Sequence, residues 1–189
     1  MSLIVYKKDP KKKKVTFASD GILIGDYDIQ KQHTVKMLYD DCTNTCIGAT
    51  GNVYVINHVL YNFSKIISTV KQFYKEDLTD ANTIFNEHKL SELFSEILSD
   101  VKFDFEGADF SFQCMLLVNG TDLYDVTALK NLKQIEVTMI DENYYAIGYG
   151  MSYALGVLDC GGSVDKVFDV VKKRTVSIND TIKKFEFNY

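Results

Sequence analysis

The chain has 189 residues, of which 46 % are apolar and 25 % charged, and its formal net charge is −5. These proportions describe a globular chain long enough to bury a substantial core without disulfides or metal, and the simplest organisation is one domain over residues 1–189. The acidic balance and the lack of a basic face interleaved with aromatics argue against nucleic acid as a partner, and no apolar run approaches membrane-spanning length.

The four cysteines are Cys42, Cys46, Cys114 and Cys160. With His33, His58 and His88 they form no zinc-binding spacing, so they read as reduced thiols, and neither metal nor other cofactor is expected. The N-terminus reaches lysines within a few residues and lacks the apolar segment of a secretory signal. Cytoplasm is therefore the expected location, with no membrane partner.

Taken in order, the first fifty residues predict β structure. Residues 3–8 form an apolar strand, and Asp9-Pro10 opens a turn whose lysines, Lys11 to Lys14, read as a solvated hairpin tip. Residues 15–19 alternate as a strand and stop at Asp20-Gly21. Short strand pieces follow over 22–24 and within 29–39, then a strand over 45–50. The period changes after Asn52. Val55, Val59, Phe63, Ile66, Ile67 and Val70 recur every three or four residues, which predicts one amphipathic helix from 52 to about 74. A second helix is predicted over 89–99, from Leu90, Leu93, Phe94 and Ile97, with a polar stretch over 75–88 between the two.

Strands return over 112–118 and 123–126, joined by Asn119-Gly120, the strongest hairpin signal in the chain. Further strands are predicted over 134–140 and 144–147. Two helices, over about 152–159 and 163–173, are separated by Gly161-Gly162, and residues 181–187 form a last strand. Strand blocks alternating with helix pairs suit an α+β fold of two face-to-face sheets with helices outside.

Several segments, in this order, resemble the proteasome β subunit and its bacterial relative, the HslV peptidase. Ser2-Leu3-Ile4-Val5 stands where that family begins its mature chain with Thr or Ser and an apolar strand. Phe17-Ala18-Ser19-Asp20-Gly21 matches its Asp-Gly strand end. Lys36 lies in Thr34-Val35-Lys36-Met37, and Gly48-Ala49-Thr50-Gly51 opens the first long helix. Ala146-Ile147-Gly148-Tyr149-Gly150 corresponds to a later glycine motif, with Tyr149 where the family usually carries serine. The resemblance implies a four-layer αββα sandwich of two mainly antiparallel sheets flanked by helix pairs, the N-terminal-nucleophile (Ntn) hydrolase fold.

It also implies a chemistry. Removal of Met1 exposes the amine and hydroxyl of Ser2 together. An α-amine titrates near pH 7.7–8.0, so it can serve as a base without histidine. In this reading Ser2 attacks the scissile carbonyl, Lys36 favours the ionised hydroxyl, Asp20 holds Lys36 and the terminus, and the Gly51 N–H stabilises the oxyanion. The Tyr149 hydroxyl would assist from the glycine turn. Ile24 and Ala49 would lie on strands that pair with an extended peptide, and Thr34 would line the specificity pocket. Implied partners are further copies of the chain in a ring, an ATP-dependent unfoldase, and unfolded protein as substrate. Two alternatives stay open: a non-catalytic structural or assembly subunit, and an amidase acting on small molecules. A penultimate serine after Met is common, and Asp-Gly, a lone lysine and a helix-entry glycine are each common outside catalysis.

Overall fold

A computed structural model describes residues 2–21, 35–73, 82–101, 112–129, 132–175 and 181–189. The first β-hairpin pairs β1 (Leu3–Asp9) with β2 (Lys14–Asp20). Its tip is the lysine run: residues 10–13 are exposed, Lys13 sits at φ 48°, and Asp9 accepts from the Lys12 N–H. β8 (Tyr144–Gly148) lies on the other side of β1, and β9 (Ile182–Asn188) closes the sheet against β2, giving the antiparallel order β8-β1-β2-β9.

The second sheet is antiparallel in the order β3-β4-β5-β6-β7. Its strands are β3 (Met37–Asp40), β4 (Thr45–Gly51), β5 (Phe112–Val118), β6 (Asp122–Leu129) and β7 (Gln134–Ile140). Asn119 and Gly120 link β5 to β6 with φ 52° and 72°, the paired positive values that a two-residue type I′ hairpin needs and that Asn-Gly tolerates.

Three helices cover the outer face of this second sheet: α1 (Val53–Tyr61), α2 (Phe63–Phe73) and α3 (Asn82–Ser99). Val55, Val59, Ile66, Leu90, Phe94 and Ile97 pack with Ile47, Cys114, Leu116 and Val126 in one continuous core. The single helix expected over 52–74 is thus two. At Asn62 the backbone N–H is shared between the His58 and Val59 carbonyls, while the side-chain amide also donates to the His58 carbonyl at 2.9 Å. Crowding two Asn62 donors onto these carbonyls ends α1, and α2 restarts at once because the Asn62 carbonyl accepts from Lys65 and Ile66. The second predicted helix, 89–99, begins earlier than its apolar stripe suggests. Glu87, in the added part, accepts the Met139 N–H, and Ser91, within the predicted span, donates to the Ile135 carbonyl, both on β7 at the edge of the sheet.

On the outer face of the first sheet lie α4 (Met151–Asp159) and α5 (Val164–Arg174), the latter capped by the Ser163 hydroxyl. Their Ala154, Leu158, Val167, Phe168 and Val171 pack on Leu3, Val5, Ala18 and Ala146. Between the sheets lies the middle core of Ile4, Tyr6, Phe17, Met37, Met115, Leu117, Leu123 and Ile147. Strand alternation explains the split: odd residues of β1 face the helices, even ones the other sheet. The result is the expected αββα sandwich, with three helices rather than a pair on one side. The strand expected over 22–24 lies outside the described residues.

Two features hold the sheets in register. Gly48 leaves room for the facing strands, since a Cβ there would stand 2.7 Å from both Ile4 Cγ2 and the Phe17 ring. Nearby, the Tyr145 hydroxyl on β8 donates to Asp125 on β6 at 2.8 Å, and the Gln113 amide on β5 donates to both oxygens of the same carboxylate at 3.1 and 2.9 Å. Burial and the Asp125 charge together push the Tyr145 phenol well above the usual tyrosine range.

Gly48→Ala forces a methyl into this closed interface. Overpacking of that kind costs about 1–3 kcal/mol, so thermal unfolding followed by near-UV circular dichroism should show a melting temperature lowered by several degrees. An unchanged melting temperature would mean the sheets can separate there without cost.

Candidate active site

Asp20 and Lys36 meet at the edge where the two sheets face each other. Asp20 ends β2 because Gly21 follows, and Lys36 immediately precedes β3, so each sheet contributes one charge. Lys36 Nζ lies 3.1 Å from Asp20 Oδ2, with both side chains at most 3 % exposed. The other carboxylate oxygen accepts the Leu3 N–H at 2.7 Å. One buried carboxylate therefore holds the ammonium and the peptide group that follows Ser2. The Lys36 carbonyl in turn accepts the Ala49 N–H at 3.0 Å, which fastens that residue to β4. Burial lowers the Lys36 pKa below its ordinary value more than Asp20 raises it. Its ammonium is thus readier than an exposed lysine to give up a proton.

Ser2 is itself buried, and its carbonyl accepts the Tyr149 N–H at 2.7 Å, continuing the β1–β8 ladder past the Leu3–Gly148 pair. Gly148 is obligatory at this point. It sits at φ 90°, and a Cβ would stand 2.1 Å from the Ser2 carbonyl oxygen and 3.0 Å from Thr50 Oγ1. Gly150, also at φ 90°, is the residue from which α4 starts.

Four of the residues singled out in the sequence, Ser2, Asp20, Lys36 and Tyr149, are thus tied to one end of the sandwich by hydrogen bonds of their own or of the adjoining Leu3. Ser2, Asp20 and Lys36 are linked as described. Gly51, at φ 118°, is the last residue of β4, and Asn52 rather than Gly51 caps α1, accepting the Tyr54 N–H at 2.9 Å. Tyr149 reaches Ser2 through its backbone, whereas a hydroxyl contact was expected; its side chain is 45 % exposed. That difference follows from the strand ladder, which turns the Tyr149 N–H inward. Ala49 is buried with its side chain in the helix-side core and its N–H taken by Lys36. Ile24 and Thr34 lie outside the described residues. Sequence reading passed over Thr50, although it stands within the Gly48–Gly51 segment; strand alternation from Gly48 is the signal that places it on the inner face.

Among the described residues no cluster of His, Cys, Asp and Glu could hold a metal ion, and no helix is long and apolar enough to cross a membrane.

No protein-family model matches the sequence, and no curated protein matches it. Solved structures do. HslV from Trypanosoma brucei superposes with a TM-score of 0.59 at 11 % identity, covering 99 % of each chain. A BPH from Thiobacillus denitrificans, solved in complex with epoxomicin, gives 0.58 at 14 %, covering 100 % of this chain and 98 % of that one. Anbu, an ancestral β-subunit, from Yersinia bercovieri gives 0.60 at 12 %, covering 100 % and 81 %. At these identities the likeness shows the fold: this is the proteasome-like Ntn-hydrolase sandwich.

Removing one partner of the buried pair, by Asp20→Asn or Lys36→Met, should destabilise the protein by about 3–5 kcal/mol, and Asp20→Leu combined with Lys36→Met by less than either alone. Denaturant unfolding of the variants measures this, and single variants within error of wild type would show the pair to be solvated.

Titration gives a second check. The folded chain releases the Lys36 proton below the ordinary lysine value of 10.5, so in the interval under that value the native state binds fewer protons than the unfolded state. Stability owed to this group therefore rises with pH there. The stability gap between wild type and Lys36→Met should widen from neutral pH toward pH 10.5, as read from unfolding midpoints; a gap that narrows would reverse the sign of the shift.

Proposed function

We propose that the protein is a proteasome- or HslV-like peptidase subunit whose nucleophile is Ser2, exposed by removal of Met1. One observation carries this reading: the Asp20 carboxylate holds the Leu3 N–H with one oxygen and the buried Lys36 ammonium with the other. That contact puts a buried cation beside the residue that would become the N-terminus. The Ser2 hydroxyl adds to the peptide carbonyl and its proton passes to the α-amine, directly or through water. The ammonium so formed returns a proton to the leaving amine, and water then hydrolyses the ester. Lys36 favours the ionised hydroxyl and the neutral α-amine. The Gly51 N–H stabilises the oxyanion, Ile24 flanks the extended substrate in place of the buried Ala49, and Thr34 shapes its specificity pocket.

The assembly follows the same reading. The chain would form rings in the cytoplasm and receive unfolded polypeptide from an ATP-driven unfoldase. Supporting self-association, a structural neighbour, the Anbu complex of Pseudomonas aeruginosa, forms a helical assembly. A second reading, a non-catalytic structural subunit, is favoured by the half-exposed Tyr149 side chain, which adds no hydroxyl to Ser2.

Untagged protein decides between them. Intact mass should show Met1 absent, and a peptide boronate or vinyl sulfone should form an adduct on the N-terminal peptide. Ser2→Ala should abolish the adduct, and Lys36→Ala should slow its formation about 10²–10⁴-fold. Retained Met1 with no adduct would leave the structural subunit, which still oligomerises in size-exclusion chromatography; a monomer would count against both readings.

A further inference from the structure

We infer that Thr50 is a positioning residue for the Ser2 α-amine, its hydroxyl reaching from the second sheet to accept a hydrogen bond from the amine; this rests on the reading of Ser2 as the N-terminal nucleophile. Three placements bring the two residues together. The Tyr149–Ser2 bond extends the β1 ladder, so alternation puts Ser2 on the face of Ile4 and Tyr6, between the sheets. On β4, Gly48 faces Ile4 and Phe17, and Thr50, two residues on, faces the same way. The space that a Gly148 Cβ would fill is bounded by the Ser2 carbonyl oxygen at 2.1 Å and Thr50 Oγ1 at 3.0 Å. The Ser2 carbonyl and the Thr50 hydroxyl thus both close on the same glycine, an approach that a side chain at 148 would block.

Several described polar groups nearby are already engaged elsewhere. Tyr149 gives Ser2 a backbone N–H and turns its side chain toward solvent. Gln113, which pairs with Thr50 across the β4–β5 ladder, spends its amide on Asp125. Asp20 is engaged by the Leu3 N–H and by Lys36. Thr50 is only 8 % exposed, so its rotamer is confined by packing. The Tyr149 bond pins the Ser2 carbonyl, which restricts the movement of the amine on the same residue. An acceptor for one amine N–H directs the lone pair toward the Ser2 hydroxyl or a water, which is what a base on the same residue needs. Such a bond strengthens when the amine is protonated, so it holds the amine's pKa up against Lys36.

The test uses the full chain beginning at Ser2, as wild type, Thr50→Val and Thr50→Ser. Valine keeps the shape and the strand preference and removes only the hydroxyl. Each protein is treated with cyanate across a pH series, and carbamylation of the Ser2 amine is followed by mass spectrometry of the N-terminal peptide. The pH midpoint should fall by about 0.5–1 in Thr50→Val, the size expected for one hydrogen bond, and return in Thr50→Ser. A common midpoint in all three proteins, an equal fall in both variants, or an amine that cyanate cannot reach would overturn the proposal, because a site open to a peptide admits cyanate. Boronate labelling of the wild type, run in parallel, separates this result from the hydrolase reading. A Thr50-dependent midpoint without an adduct would retain the contact and reject the catalysis, and an adduct without Thr50 dependence would do the reverse.

Discussion

A buried charge must be paired, and the pairing of Asp20 with Lys36 organises this end of the molecule. The two side chains come from different sheets, so neither charge is satisfied unless the sandwich is closed. Asp20 also takes the Leu3 N–H, and Lys36 also fastens to β4 through its carbonyl. One ion pair therefore ties together the start of β1, the end of β2, the approach to β3 and the middle of β4. The first residues of the chain are held where those strands meet, which is why Ser2 is buried.

The second constraint is how closely backbones approach. Gly48 lets Ile4 and Phe17 come down on β4, and Gly148 lets the Ser2 carbonyl sit against β8. Neither position has room for a methyl. The Tyr145–Asp125–Gln113 bridge joins the two sheets a second time, at a part-buried position. The buried Asp20–Lys36 pair and this part-buried row are tolerated between the sheets because their polar groups satisfy one another.

Much of the fold was legible from local signals. Asn119-Gly120 fixed a hairpin through its left-handed backbone alone, and the three-to-four spacing of Leu90, Phe94 and Ile97 marked a helix face. Segments were less legible where their bonds were not local. The break at Asn62 arises from a side-chain amide competing for a carbonyl, which apolar spacing does not register. The part of α3 that precedes the predicted span is fastened by Glu87, which accepts an N–H from β7, a strand some fifty residues further on. In the candidate site, Asp20 and Lys36 were readable from a family resemblance, and their ion pair supplies a physical reason for both. Tyr149 was readable as a position, whereas its backbone bond to Ser2 was not, since a backbone N–H leaves no trace in residue type.

The sequence by itself determined the alternation of strands, the helix faces, the Asn119-Gly120 turn and the presence of one acid, one lysine and one serine in a recurring order. These are properties of single residues and their near neighbours. Only the tertiary structure decided which charges meet, which carbonyl Tyr149 holds and that Thr50 stands beside Ser2. Those relations link positions from 16 to 147 residues apart, and they form only when two sheets close on each other.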